Sequence, residues 1–149
     1  SAAGAESVVF EVAAHPSLPL RPLARVASGG ELSRISLAIQ LVVRRYSPVE
    51  TLVFDEIDSG IGGGVADTVG RSLRRLGGGR QVLCVTHLPQ VAAQGDAQWS
   101  VRKTERRGTV QAEVERLDRA ARVEELARML GGSRITATTR KHAAELLAD

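Results

Sequence analysis

The sequence is poor in several residue types, and each shortage narrows what the protein can be. It has one cysteine, Cys84, and cannot form an internal disulfide, which is typical of a reducing compartment. Only four of its 149 residues are Phe, Tyr or Trp, too few to build a platform on which nucleic-acid bases stack. No apolar run approaches the ~20 residues that span a membrane, and the first residues lack the pattern of a secretory signal. These features predict a cytoplasmic protein without membrane contact.

The charge is mildly basic and comes almost entirely from arginine. The formal net charge is +3, and the lysines are confined to Lys103 and Lys141. This balance permits contact with nucleic acid but does not require it, because a solvated surface explains it as well. The length and the 43% hydrophobic content are typical of one globular domain over residues 1–149.

The order of predicted elements indicates an α/β fold. In chain order, the predicted elements are a strand at 7–14, an irregular proline-containing stretch at 15–27, a largely buried helix from just after Ser28 to about Arg45, a strand at 51–55 covered on both faces, a helix at 64–76, a strand at 80–86, a short helix at 88–94, a hairpin of 97–104 and 109–117, and helices at 119–130 and 135–148. Strands that alternate with helices in the middle of the chain favour a parallel pair in a layered fold.

The stretch "ASGGELSR", residues 27–34, combines a capping pattern with two glycines. Ser28 and Glu31 form a capping box, which needs no function to explain it. Gly29 and Gly30 are unexpected there, since each lowers helix propensity by roughly 1 kcal/mol. They also leave backbone N–H groups bare at the positive end of the helix dipole, an arrangement that binds phosphate. Capping and phosphate binding both remain open interpretations at this point.

The stretch "TLVFDEIDSG", residues 51–60, places two adjacent acids at the end of an apolar strand. The carboxyl end of a parallel strand faces the crevice where α/β proteins bind ligands. A single acid there serves well as a turn cap, but Asp55 and Glu56 repel each other unless a cation lies nearby. We therefore expect Asp55 to hold Mg²⁺ bound to nucleotide phosphates, and Glu56 to orient and polarise the attacking water.

The stretch "VLCVTHLPQVA", residues 82–92, brings a histidine to the end of the next apolar strand. His87 should emerge at the same edge of the sheet as Asp55, where it would reach a γ-phosphate. Taken alone, this histidine is better explained as a cap for the following helix or as a hydrogen-bonded surface group.

Together, the three stretches resemble the nucleotide-binding domain of the ABC ATPase superfamily. "SGGEL" resembles its signature motif, "TLVFDE" its Walker B strand, "IDSGIGG" its D-loop and "VTH" its H-loop. The similarity is closest to the RecN family of bacterial DNA-repair proteins in the SMC-like group. It runs from about Val8 to the end of the chain and is dense between Pro22 and Asp96. The implied fold is α/β, a partial P-loop NTPase lobe of the ABC/SMC head type with parallel central strands, flanking helices, a C-terminal β-hairpin and two helices.

The resemblance implies ATP and Mg²⁺ as cofactors and divides the site residues between two nucleotides. Asp55, Glu56 and His87 would serve the nucleotide of their own head, as metal ligand, general base and phosphate contact. The remaining residues would contact the nucleotide or interface of a second head in an ATP-dependent homodimer: Ser28, Gly29, Gly30, Glu31, Asp58 and Ser59. The implied role is ATP hydrolysis that serves the repair of DNA double-strand breaks and recombination on the nucleoid.

The sequence does not contain the P-loop that such an ATPase needs. That motif requires Gly-Lys-Ser or Gly-Lys-Thr, whereas Lys103 and Lys141 each follow an arginine. In SMC-like proteins the P-loop belongs to an N-terminal lobe that a long coiled coil separates from the signature and Walker B lobe. We therefore expect this chain to be the C-terminal lobe, to need the N-terminal lobe as its partner, and to hydrolyse negligible ATP alone.

Two other functions fit parts of the sequence. The chain could be the corresponding half of another SMC-like or ABC ATPase, in chromosome organisation or transport, although "IDSGIGGGVADTVG" favours the RecN type. It could instead be a non-catalytic module that holds DNA phosphates with its arginines. In that case the Asp55 and Glu56 pair would have no purpose, since acids repel the DNA backbone.

Overall fold

The computed structural model describes residues 4–13, 15–25, 28–106, 109–132 and 134–148. The strands are β1 (Glu11–Val12), β2 (Arg21–Pro22), β3 (Thr51–Phe54), β4 (Gln81–Cys84), β5 (Gln98–Arg106) and β6 (Thr109–Leu117). The α-helices are α1 (Gly29–Val43), α2 (Gly63–Gly77), α3 (Pro89–Ala93), α4 (Arg119–Gly131) and α5 (Ala137–Leu146), and a 3-10 turn covers Leu23–Arg25. Within these ranges, none of the helices combines the length and apolarity that crossing a bilayer requires.

The centre of the molecule is the predicted parallel strand pair with a connecting helix. β3 and β4 pair in parallel, with Phe54 opposite Cys84 at their carboxyl ends. The helix α2 joins them and buries one face against the sheet, with Leu73 and Leu76 in the core. Because parallel strands end at the same edge, the residues that follow Phe54 and Cys84 come together in space.

The outer face of this strand pair is not covered by the described residues, contrary to the sequence-based expectation. Val53 is 66% exposed, and Leu83 and Val85 beside it are exposed as well. Their inward neighbours Leu52 and Val82 pack on the core, so the sheet is buried on one side. A continuous apolar run predicts that both faces need cover, but it does not say which chain supplies it.

Helix α1 has the predicted extent but not the predicted burial. Ser28 caps it, and its hydroxyl accepts a hydrogen bond from the Glu31 backbone N–H at 3.4 Å, so half of the capping box is confirmed. Leu37 is buried against the central core, whereas Val42 is 79% exposed and Ile39 is also exposed. The expectation of a largely buried helix was wrong, because only the side that contacts α2 and the loop after β3 is covered.

The first 25 residues contain less strand than predicted at 7–14 and more local structure than predicted at 15–27. Among the residues described in this segment, the strand pairs are Glu11 with Pro22 and Val12 with Arg21. Ala14, Val26 and Ala27 lie outside the described residues. Prolines restrict the partner segment to a short edge pairing followed by the 3-10 turn.

The remainder of the chain forms the predicted hairpin and two helices. β5 and β6 pair antiparallel over their full length, from Gln98 opposite Leu117 to Arg106 opposite Thr109. Asp118 caps α4, and Thr136 with Thr139 forms a capping box at the start of α5. The helices enclose a second core around Leu126 that also contacts α3, so they pack beside the central layer. Met129, Leu130 and Leu147 pack against this cluster.

Candidate functional site

The start of α1 packs directly on the loop that follows β3, which we call the 55–59 loop. Gly30 is buried, and a Cβ atom placed on it would lie 3.0 Å from the Glu56 carbonyl oxygen and 3.0 Å from the Ser59 Cβ. Contacts this short exclude a side chain without a shift of the loop backbone. Gly30 is therefore required by close packing, beyond any role of its bare N–H in binding phosphate.

Gly29 faces a different part of the same loop. A Cβ atom at Gly29 would lie 2.5 Å from Oε2 of Glu56, the mobile end of an exposed side chain. The carboxylate of Glu56 therefore lies over the first turn of α1, where the helix dipole favours negative charge. The structure thus brings together two predicted site groups that the resemblance assigns to different nucleotides.

Two residues of α1 that were not predicted as site residues hold this loop in place. The Ser33 hydroxyl donates to the Asp55 carbonyl at 2.8 Å. Nη1 of Arg34 donates to the carbonyl oxygens of Ile57 at 3.2 Å and Ser59 at 3.0 Å. The spacing of Arg34 four positions after Gly30 was the available signal, because it puts both on the side of the helix that meets the loop.

Asp55 and Glu56 are exposed at the carboxyl end of β3, as predicted. Oδ1 of Asp55 accepts a hydrogen bond from the Glu56 backbone N–H at 2.9 Å. Glu56 has a φ angle of 56°, the left-handed conformation that residues with a Cβ seldom adopt. This strain of about 1–3 kcal/mol is typical of residues held for a functional purpose.

Asp58 lies in a different environment from the two acids before it. Its residue exposure is 3%, and Oδ2 accepts hydrogen bonds from the Thr86 hydroxyl at 2.5 Å and the His87 backbone N–H at 2.9 Å. Nδ1 of His87 lies 3.2 Å from the same oxygen. Burial raises the pKa of Asp58, but these hydrogen bonds and the nearby imidazole outweigh it and hold the pKa below its usual range.

The two parallel strands therefore end in one connected group of side chains. His87 is anchored through Asp58, yet its side chain is 72% exposed and open to a ligand. Ser59 is exposed at the surface of the loop, where it was predicted to face a second head. Cys84 lies just behind the site, and burial together with Asp58 and Asp55 raises the pKa of its thiol to about 12, so it stays protonated.

The carboxylates at this site are too few to hold a metal ion by themselves. They suit a metal ion that is also bound by the phosphates of a nucleotide. Among the described residues, no three His, Cys, Asp or Glu side chains form a group able to ligate an ion. Mg²⁺ in nucleotide sites needs only one or two carboxylates beside phosphate oxygens and water. The exposed carboxylate of Asp55 fits that smaller requirement.

No protein-family profile matches the chain. Individual relatives do match. The DNA repair protein RecN of Vibrio cholerae is 51% identical over 144 residues, 97% of this chain and 26% of that protein. The DNA repair protein RecN of Bacillus subtilis is 40% identical over 144 residues, 97% of this chain and 25% of that protein. The chain belongs to the RecN family.

This RecN-family chain spans about a quarter of the length of the curated relatives it matches. A solved structure from work on ATP-driven dimerization and DNA-stimulated activation of SMC ATPases superposes on it with a TM-score of 0.53. The superposition covers 79% of this chain and 70% of that chain at 18% identity, so it bears on the fold alone. The mixed α/β architecture is thus similar to that of an SMC ATPase, as the motifs predicted.

Proposed function

We propose that this chain is the signature and Walker B lobe of a RecN-type ATPase head, which binds and hydrolyses ATP with Mg²⁺ in the whole protein. The head would act in the repair of DNA double-strand breaks on the bacterial chromosome, and so in the cytoplasm. The carrying observation is the meeting of three groups at one sheet edge: the start of α1, the acids after β3 and His87 after β4. This convergence, together with membership of the RecN family, favours a nucleotide site over a structural turn.

In this proposal Asp55, Glu56 and His87 each have a role at the phosphates of ATP. Asp55 would ligate Mg²⁺, which when bound neutralises charge on the β- and γ-phosphates. Glu56 would accept a hydrogen bond from the attacking water and polarise it, and His87 would contact the γ-phosphate. The exposed side chain of Glu56 can turn away from Gly29 to do this, since surface rotamers exchange rapidly.

The start of α1 would serve the nucleotide of a second head. The first turn offers bare N–H groups at Gly29 and Gly30 beside the hydroxyl of Ser28, which suits a γ-phosphate. Glu31, in the same turn, donates its own N–H to that hydroxyl. Ser59 is exposed next to this turn and would cross the same interface. Each chain would thus contribute to two ATP sites and complete neither.

A P-loop lobe from the rest of the protein is the proposed partner of the open faces. Val53 and Val85 are exposed on the uncovered side of the central strands. The hairpin carries a second exposed apolar face: Trp99, Val101, Val110 and Val114. Apolar faces of this kind indicate an interaction surface. The chain covers only about a quarter of the length of its relatives, and a whole protein of that length would contain enough further residues to bury these faces.

The decisive variant is Glu56→Gln, tested in the chain together with a P-loop lobe. We expect ATP turnover to fall by about 100-fold or more, the usual contribution of a general base, while bound ATP is retained. Turnover and nucleotide binding would be measured by phosphate release and by a filter assay.

The matched control is Glu50→Gln, the same change at the exposed opposite end of β3. It should leave turnover at the wild-type rate. A Glu56→Gln head that hydrolyses ATP normally would rule out the general-base role. Rapid hydrolysis by this chain alone would show that the P-loop lobe is not needed.

A second candidate function, contact with DNA phosphates, is favoured by one pocket. This pocket of about 230 Å³ lies between the ends of α2 and α3 and the start of α4, and its lining includes Arg74, Arg119, Arg122 and Asp96. Arg122 also donates to carbonyls at the end of α3, such as that of Gly95 at 2.6 Å, so part of this charge is structural. Salt-sensitive DNA binding by the chain, lost in Arg74→Ala but not in Asp55→Ala, would support this function.

A further inference from the structure

The carboxylate of Asp58 is engaged by residues of its own lobe. The Thr86 hydroxyl and the His87 backbone N–H donate to its Oδ2, Nδ1 of His87 lies 3.2 Å from the same oxygen, and the residue is almost fully buried. Burying a carboxylate costs free energy unless hydrogen bonds compensate for the lost water. The contacts of Asp58 with Thr86 and His87 provide that compensation. One of these two residues, His87, is the one proposed to contact the γ-phosphate.

The chemistry of the pair fixes which ring nitrogen carries the proton. An ionised carboxylate only accepts hydrogen bonds, so the ring nitrogen that faces it must donate. Nδ1 of His87 is the atom at 3.2 Å from Asp58 Oδ2. In the neutral ring the proton therefore lies on Nδ1 and Nε2 is an acceptor, which donates to a phosphate oxygen only when the ring carries a second proton.

The backbone of Asp58 is itself held from the opposite side. Arg34 donates to the carbonyl oxygens of the residues on either side of Asp58, Ile57 and Ser59. The carboxylate is consequently fixed by α1 through its backbone and by the residues after β4 through its side chain. The His87 ring, although 72% exposed, therefore lies against a carboxylate that is itself held in place.

We propose that Asp58 is a positioning residue for His87, which sets the ring orientation and keeps a proton on Nδ1, so that Nε2 faces the bound phosphate and donates to it from the protonated ring. The last clause rests on the proposed function, whereas the orientation and tautomer do not. This role differs from the D-loop role expected for Asp58, because the carboxylate acts on its own lobe.

The first test reads the tautomer directly and needs no nucleotide. Long-range ¹H–¹⁵N spectra of the imidazoles are tractable because the chain has three histidines. We expect the neutral ring of wild-type His87 to be in the Nδ1–H form, and Asp58→Ala to shift it towards the Nε2–H form that free histidine prefers in water. The exposed His142 on α5 should not change and serves as the internal control.

An Nε2–H form in the wild type, or an unchanged His87 in Asp58→Ala, would overturn the proposal. If Asp58→Ala does not fold, the wild-type spectrum still decides, since it alone reports which nitrogen is protonated.

The second test asks whether the two residues act as a unit in turnover. In the chain combined with a P-loop lobe, Asp58→Ala should lower kcat by about 10- to 100-fold, as loss of a carboxylate partner does for ligating histidines. KM for ATP should change little. The double variant Asp58→Ala/His87→Ala should be no slower than His87→Ala alone, because residues that act together are not additive.

Losses that multiply in the double variant would show that Asp58 acts independently of His87 and would refute the positioning role. Failure of the proposed function gives a different result. If His87→Ala keeps full turnover, the proposed phosphate contact of His87 is wrong. The positioning role of Asp58 is then decided by the imidazole spectra alone. Glu50→Gln again serves as the unaffected control.

Discussion

The two halves of the 55–59 loop carry the same kind of side chain in opposite environments. In the inner half, Ile57 is fully buried and Asp58 is 3% exposed with its carboxylate bonded to Thr86 and His87. In the outer half, Asp55 and Glu56 are exposed. One short loop thus contains an acid that holds the fold together and two acids that the fold leaves available.

The contrast between Glu56 and Asp58 distinguishes a residue placed for function from a residue that stabilises the fold. The left-handed backbone of Glu56 costs free energy and gains no burial, as is common at functional sites. The buried carboxylate of Asp58 accepts two hydrogen bonds and lies close to the His87 ring, as is common of structural groups. The glycines of α1 divide in the same way, because Gly30 contacts the inner backbone and Gly29 contacts the end of the Glu56 side chain.

The largest difference between the halves is expected from alanine at the two aspartates. Asp58→Ala removes the acceptor of part-buried hydrogen bonds from the Thr86 hydroxyl and the His87 backbone N–H, and should lower the free energy of unfolding by about 3 kcal/mol. Asp55→Ala removes an exposed carboxylate and should change it by less than about 0.5 kcal/mol. Urea unfolding measures both, and equal losses would remove the distinction between inner and outer acids.

A smaller difference is expected between the two glycines. Gly30→Ala forces a Cβ against the Glu56 carbonyl and Ser59, and should destabilise the chain by about 2 kcal/mol. Gly29→Ala meets only a movable carboxylate, so the change should stay within about 1 kcal/mol, with a gain in helix propensity as partial compensation. Thermal unfolding of the matched pair provides the measurement. A Gly30→Ala protein as stable as Gly29→Ala would contradict the close packing seen at the inner half.

The smallest effect is expected in how the free energy of unfolding changes as the pH is lowered. The pKa of Asp58 is lowered in the folded chain, so its ionised form contributes stability above the unfolded pKa of about 3.9, and this contribution is lost as the pH falls through the lower folded value. Asp58→Asn cannot titrate and should lose less stability between pH 5 and about pH 3. Hydrogen bonds from Arg140 and Arg128 also lower the pKa of Glu124 and Glu125 respectively, but these groups are present in both proteins.

The difference between the two unfolding curves therefore isolates Asp58. Curves that stay parallel from neutral pH to acid would mean that its carboxylate contributes nothing to the pH dependence.

Much of the local structure was predictable because it depends on neighbours in sequence. The spacing of apolar residues and the Ser28 cap predicted α1 to within about two residues of its ends. The apolar runs predicted β3 and β4. The parallel pairing of these strands followed from the helix between them. The same reasoning overestimated the burial of Ile39, Val42 and Val53, since an apolar pattern reveals a need for cover and not its source.

The site was predictable as a set of residues but not as a set of contacts. Motif order singled out Ser28, Glu56 and His87, and the edge that the parallel strands share implied that the latter two would be near each other. The contacts of Arg34 with the loop and of Asp58 with His87 join residues 23 to 29 positions apart, and no local pattern signals them.

By itself, the sequence determined the helices, the strands, the order of the motifs and the type of ATPase they resemble. Those properties follow from periodicity, capping and residue identity over short distances. Only the tertiary structure decided which of three acids in one loop is buried, because burial depends on what packs against a residue from elsewhere in the chain. Asp58 became the anchor of His87 since the strand ends meet there, while Asp55 and Glu56 remained exposed on the other side of the loop.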